Sequence, residues 1–245
     1  MTKVDEKWVL SATRAAESGQ LAYQNWFDGA SSLERVRAQS CVDFFGKILT
    51  TDVLERIGDP SEQSALEIGS GGGRLLGCAA QTFKRAVGVD LVYEDQRLVE
   101  MTRALHVSWG VSGCEMIPPR GLLDLEPDSF GFIYSFIAFQ HFDSAQVVFN
   151  YMRSARRLIR SGGMARLFVG RSETEDIVRL IDKPFDPNDL QFDSTLQMPP
   201  GAFRAIAEAT GFRVVNVIER ARKQPWIDMP SSQMMFDLVA AGPAH

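Results

Sequence analysis

The stretch Leu66-Glu67-Ile68-Gly69-Ser70-Gly71-Gly72-Gly73-Arg74 decides how the rest of the chain is read. Its apolar start belongs to a strand, Ala65–Ile68. Glycines then form a turn, and a helix follows to about Lys84. Glycine permits a tight turn and lets backbone amides approach a ligand closely. Asp90 lies 17 residues beyond Gly73, at the end of the next strand, Ala86–Val89. In doubly wound folds an acid at that place accepts hydrogen bonds from ribose hydroxyls. Two phosphate-binding patterns fail. G-x-G-x-x-G counted from Gly69 needs glycine at 74, where Arg74 stands, and a P-loop needs a Lys that does not follow these glycines. What remains is E-x-G-x-G-x-G. Glu67, two residues before the first glycine, would repel a pyrophosphate and suits a ligand that brings a cationic group.

Outward from this turn, short apolar runs alternate with helical segments. A helix runs to about His106, and Cys114–Ile117 is a weak third strand. Gly131–Ala138 is a fourth, apolar throughout as for a strand covered on both faces. Ser144–Arg160 is a helix stopped by Gly162-Gly163, and Ala165–Val169 is a fifth strand. Residues 171–200 break the rhythm with Pro184, Pro187, Pro199 and Pro200, and read as an insertion over the sheet edge. Helix Gly201–Thr210, strand Phe212–Glu219 and a last strand near Met234–Ala240 complete the pattern. The last two strands have no room for a crossover helix between them and are expected to pair antiparallel. The fold class is therefore α/β: a Rossmann-like doubly wound sheet of about seven strands, mostly parallel with an antiparallel last strand. N-terminal helices and the inserted segment are added to it. Residues 1–60 read as helical, with a capping box at Ser31-Ser32-Leu33-Glu34 and apolar residues at helical spacing to Ile57. The expected division is 1–60 as an N-terminal helical cap and 61–245 as the main domain, with 171–200 as a substrate cap.

Composition narrows the classes of partner. Of 245 residues, 45% are apolar and 23% charged, the balance of a globular protein rather than a disordered one. The longest run without an acid or a Lys or Arg is Ser129–Phe142, 14 residues, short of the roughly 20 that span a bilayer. The charged N-terminus MTKVDEKW lacks a signal peptide's apolar core. No membrane partner is expected. A net charge of −5 argues against nucleic acid as the main partner. Arg153, Arg156, Arg157 and Arg160 read as cations on a solvated helix end, complementing its dipole. Cys41, Cys78 and Cys114 form no CxxC pair and read as small buried apolar residues, which fits a reducing cytoplasm; no metal site is expected. Nothing in the sequence speaks to oligomeric state.

The glycine motif resembles the first motif of class I methyltransferases that use S-adenosylmethionine, and the methyltransferase type 11 pattern in particular. Asp90 in Val87-Gly88-Val89-Asp90 matches their second acidic motif. Asp128–Ser135 resembles the fourth-strand motif, Leu158–Ala165 the segment before strand five, and Ala207–Phe212 the approach to strand six. The ordered match spans roughly residues 60–170 and 200–241. The resemblance implies S-adenosyl-L-methionine as cofactor. It implies that Gly69, Ser70, Gly71 and Gly73 face its methionine part and that Glu67 sits near its amino group. Asp90 would hold the ribose hydroxyls, and Leu91 would pack beside the adenine. Ser135 and Phe136 would border the methyl-transfer site. Two departures stand out. Arg120-Gly121 replaces the usual Gly-acid pair before strand four, so the adenine contact passes to Leu122, Leu123 or Asp124. Gly131 replaces the usual Asp of the fourth-strand motif.

Methyl transfer is a displacement at a cationic sulfonium, served by placement, exclusion of water and aromatic faces. A hydroxyl acceptor also needs a base. His141, after strand four, is the candidate base; alternatively it hydrogen-bonds locally and shapes the pocket. Tyr23, Trp26 and Phe27 read either as a lid or as a patch docking the N-terminal helices on the sheet. Arg37 could reach the cofactor carboxylate but reads more simply as a surface arginine. Trp226, Met229, Met234 and Met235 read as packing near the last strands. The implied activity is methyl transfer to a small-molecule acceptor, a hydroxyl of a sugar or natural product first and an amine second. The [DN]-P-P-[YFW] motif of base and glutamine methylation is replaced by Ser135-Phe136-Ile137-Ala138. The two departures also admit a non-catalytic subunit that keeps the fold. Arg74 and Glu67 count against a nicotinamide oxidoreductase.

Overall fold

The computed structural model describes residues 3–24, 31–172, 177–181, 195–219 and 233–241. Seven strands form one sheet: β1 (Ser64–Ile68), β2 (Arg85–Val89), β3 (Glu115–Ile117), β4 (Phe130–Ser135), β5 (Ile159–Gly170), β8 (Phe212–Ile218) and β9 (Gln233–Ala240). Their order is β3-β2-β1-β4-β5-β9-β8. Strands β1 to β5 pair in parallel, and β9 runs antiparallel to both neighbours, as the sequence pattern predicts. The chain steps outward from β1 to β3 and then returns to β4 on the other side of β1. That reversal opens a crevice at the carboxyl ends of β1 and β4, where such sheets collect ligands.

Among the described residues, eight α-helices flank the sheet: α1 (Lys3–Glu17), α2 (Gln20–Gln24), α3 (Leu33–Asp43), α4 (Thr51–Ile57), α5 (Arg74–Thr82), α6 (Gln96–Ser108), α7 (Ala145–Leu158) and α8 (Pro200–Ala209). One face of the sheet, through Leu66, Ile68, Ile133 and Leu167, packs on Met152 and Leu158 of α7 and Phe203 of α8. The other face, through Ala65, Phe132 and Phe168, packs on Leu75 and Leu76 of α5 and on Phe44, Ile48 and Val53. Residues 44–57 are thus part of the main core. Helix α1 instead packs Ala12, Ala15 and Ala16 against Tyr93, Leu98 and Val99.

Several boundaries differ from the sequence reading. The capping residue of α3 is Ser32, whose hydroxyl accepts from Arg35 N at 3.3 Å, and the helix breaks through a π-helical turn, Phe44–Ile48. Strand β4 ends at Ser135, because Ile137 takes a left-handed conformation (φ 69°) and starts a 3-10 turn, Ala138–His141. Helix α7 ends at Leu158, and Gly162-Gly163 lie inside β5, where the register jumps from Phe130↔Ile159 to Phe132↔Met164. Within the 171–200 segment the described residues pair with neither edge strand, β3 or β8. Its described part is a ribbon of β6 (Arg179–Ile181) and β7 (Thr195–Gln197) that returns to the end of central β5, with Met198 N donating to Gly170 O at 3.0 Å. Pro184, Pro187, Trp26, Phe27, Trp226 and Met229 lie outside the described residues; Met234 and Met235 are buried in β9.

The arginines at the end of α7 are more than solvated cations. Arg156 donates to Gly211 O and Ala241 O, Arg157 to Leu125 O and Leu122 O, and Arg160 to Gln63 Oε1. Cys78 is buried while Cys41 and Cys114 are half-buried, and all three are free thiols. Arg37 is exposed. No described helix is long and apolar enough to cross a membrane.

Candidate active site

The glycine turn is held from three sides. Gly69 N donates to Val89 O at 2.8 Å. Gly69, Gly71 and Gly73 all take positive φ (75°, 51° and 78°), a region that side chains resist. A Cβ on Gly69 would collide with the Cβ of Ala138, so the turn presses directly on the segment after β4. Gly71 N donates to Asp90 Oδ2 at 2.7 Å, and Val92 N donates to Asp90 Oδ1 at 3.1 Å. Each carboxylate oxygen keeps lone pairs for further donors. The Ser70 hydroxyl and the Tyr93 hydroxyl are 3.0 Å apart.

A cavity of about 670 Å³ opens over this turn, within the size range of pockets for drug-sized ligands. Glu67, Gly69, Ser70, Gly71, Asp90, Leu91, Phe136 and His141 all line it. Five expected residues do not, Leu122 being buried in the core. Gly73 caps α5 behind the turn, with its carbonyl 2.7 Å from His106 Nε2. Leu123 is 77% exposed and Asp124 is exposed as well, because the 3-10 turn Pro119–Asp124 presents Pro119 and Arg120 to the cavity instead. Ser135 is fully buried within the sheet, and its hydroxyl has no hydrogen-bond partner among the described residues.

The structure adds residues that sequence reading missed. Helix α1 contributes Asp5, Trp8 and Val9; α2 contributes Gln24 beside the expected Tyr23; α7 contributes Val147 and Tyr151. Trp8 and His141 rings lie 4.4 Å apart, centre to centre. Phe142 and Tyr151 stack at 4.7 Å. Of the aromatic cluster read as lid or docking patch, Tyr23 serves both ends: it lines the cavity, and its hydroxyl lies 3.3 Å from Thr102 Oγ1 on α6. Only the local position of His141 and Tyr23 carried a signal; α1 carries no motif.

Both departures from the family pattern have structural accounts. Arg120 reaches Glu94 Oε2 at 2.9 Å, and both line the cavity. Gly131 sits at the start of β4, away from the cavity, where a side chain would collide with Gln63 Oε1, the partner of Arg160.

Electrostatically the cavity is acid-rich. Glu67 is 3% exposed and accepts from the Tyr134 hydroxyl at 3.0 Å. Burial pushes its carboxyl up to about 8, against the pull of the Tyr134 hydrogen bond and of Arg74. Burial also raises Asp90, partly offset by the amides of Val92, Gly71 and Leu91. The cation Arg74 is held 2.8 Å from Asp43 Oδ2 and lies 5.6 Å from the centre of the Phe136 ring. Among the described residues no cluster of three His, Cys, Asp or Glu side chains is placed to hold a metal ion. Carboxyls, a glycine cradle and aromatic rings fit a ligand with an ammonium, a sulfonium and ribose hydroxyls. They do not fit one with several phosphates.

Comparison with known proteins agrees. Residues 66–167 match the family model of a methyltransferase domain. No curated protein matches the sequence. Solved structures do: an S-adenosylmethionine-dependent methyltransferase from Clostridium acetobutylicum superposes with a TM-score of 0.60 at 11% identity, covering 83% of this chain and 92% of that one. One from Methanosarcina mazei gives 0.60 at 11%, over 78% and 98%. One from Mesorhizobium loti gives 0.55 at 16%, over 81% and 99%. At these identities the likeness is one of fold. Residues 66–167 thus carry the match to a methyltransferase domain, and the chain shares its fold with S-adenosylmethionine-dependent methyltransferases of known structure.

Proposed function

We propose that this enzyme moves the methyl group of S-adenosylmethionine to a hydroxyl of a small molecule, such as a sugar or natural product, with an amine as the second acceptor class. One observation carries the reading: the cavity runs from the glycine turn to a wall of Trp8, Val9, Phe142, Val147 and Tyr151. That chamber is partly aromatic and sized for a small ligand rather than a polymer. The bound cofactor supplies the electrophilic methyl group. Asp90 accepts from its ribose hydroxyls, Glu67 faces its cationic end, and Leu91 packs beside the adenine. Phe136 offers a ring face near the sulfonium.

His141 receives the acceptor's proton. Gln140 Nε2 lies 3.1 Å from His141 Nε2. With the amide donating, Nε2 is the basic nitrogen of a neutral ring and Nδ1 carries the hydrogen. An acceptor hydroxyl takes the place of that amide and gives its proton to Nε2. Trp8 holds the ring from one side.

The cap role goes to the N-terminal helices, which supply Asp5, Trp8, Val9, Tyr23 and Gln24. No described residue of 171–200 lines the cavity. The free thiols support a reducing compartment such as the cytoplasm.

The test is a screen of hydroxyl and amine acceptors, followed by His141→Ala on the best of them. Loss of about 10²- to 10⁴-fold in kcat with unchanged cofactor affinity is expected of a general base. A variant that keeps full kcat assigns His141 to packing against Trp8 instead. Activity confined to amines overturns the hydroxyl reading.

A further inference from the structure

Gln24, the last residue of α2, is 5% exposed and lines the cavity. Neither Oε1 nor Nε2 of its amide has a hydrogen-bond partner among the described residues. Buried polar groups are almost always paired, so two orphaned atoms on one side chain need an explanation. The amide lies against the glycine turn: a Cβ on Gly72 would stand 2.9 Å from Oε1 and 3.3 Å from Nε2. Its placement is not accidental slack. Gln20 Nε2, one turn earlier, donates to Met101 O at 2.8 Å, and Tyr23 pairs with Thr102. Helix α2 is thereby pinned to α6 with Gln24 over the turn.

A carboxamide offers two N–H donors and an acceptor oxygen on one rigid plane. A ligand satisfies both ends of it when a carboxylate and an ammonium sit on one carbon. Asp90 is tied to the turn at Gly71, and Gln24 touches it at Gly72. Arg74, the nearby cation, is engaged with Asp43.

We propose that Gln24 grips the amino-acid end of S-adenosylmethionine, Nε2–H donating to its carboxylate and Oε1 accepting from its ammonium. The proposal rests on the placement of the cofactor over the glycine turn. It makes Gln24 a specificity residue that separates the whole cofactor from its adenosine fragment.

The test is calorimetric titration of the full chain and Gln24→Met with two probes. S-adenosylhomocysteine keeps the amino-acid end. 5′-Methylthioadenosine keeps the adenosine and sulfur but lacks it. In Gln24→Met, S-adenosylhomocysteine is expected to bind about ten- to a hundredfold more weakly, the range for hydrogen bonds to charged groups. 5′-Methylthioadenosine binds as before. The ligand-free variant melts no lower than the parent, because the substitution removes two unpaired buried atoms. Equal weakening of both probes, or unchanged binding of S-adenosylhomocysteine, overturns the proposal. So does a lower melting temperature without a change in selectivity, since that marks a merely structural amide. If the parent chain binds neither probe, the cofactor placement itself falls, and the proposal with it.

Discussion

Glu67 shows how one residue sets the pH response of the site. Its ordinary value is 4.5, and burial lifts it to about 8 in the folded chain. Between those values the unfolded chain has lost the proton and the folded chain keeps it. The folded state then binds more protons, so stability falls as pH rises through that window, by at most about 1.4 kcal/mol per pH unit. Glu67→Gln is expected to flatten the decline, read from urea unfolding at several pH values. Ligand binding has the opposite sign. A cationic amino-acid end favours the carboxylate, so S-adenosylhomocysteine should bind more tightly toward pH 8 and release a proton. Calorimetry in buffers of different ionisation enthalpy counts that proton, and Glu67→Gln should abolish it. The residue was legible in sequence because an acid beside a glycine turn has a local chemical logic. Gln24 and Trp8 were not, because their roles come from contacts with elements far along the chain.

At the scale of elements, the sheet is tied to its N-terminal layer by one buried cation. Arg166 of β5 donates to Asp237 of β9 at 2.7 and 2.9 Å, to Asp52 of α4 at 2.7 Å and to Lys47 O at 3.1 Å. Asn216 of β8 adds a bond to Asp237 at 3.0 Å. Removing one partner of such a buried pair strands the other charge. Arg166→Met is therefore expected to cost about 3–5 kcal/mol, and Arg166→Met with Asp237→Leu to recover much of it. Thermal unfolding of both variants checks this. Equal losses in the single and double variants would contradict it. The element boundaries that sequence reading missed share a physical cause. Ile137 in a left-handed conformation ends β4 where an apolar run continues, and Gly162-Gly163 form an irregularity inside β5 instead of a stop. Neither leaves a periodicity signal. Strands β1 and β2 were legible because burial on both faces makes their apolar runs continuous.

For the whole molecule, cofactor binding and folding are linked. At a hundred times its dissociation constant, S-adenosylhomocysteine should add about 2.7 kcal/mol of stability. That increment should raise the melting temperature by several degrees for a chain of this size. Asp90→Ala also loses its bonds to Gly71 and Val92, so the meaningful comparison is the ligand-induced increment and not the absolute melting point. That increment should vanish or shrink sharply in the variant. A full increment would move the ribose contact away from Asp90.

The docking of α2 on α6 also bears on the order of events during synthesis. Gln20 finds its partner at Met101, and Tyr23 at Thr102, about eighty positions further along. On the ribosome the first two helices leave the exit tunnel well before the surface that receives them. They must wait, solvent-exposed and unanchored, until α6 has followed. The wall of the reaction chamber is thus translated early and assembled late. A slow codon stretch placed ahead of α6 would lengthen the interval in which this segment is open to proteases and chaperones.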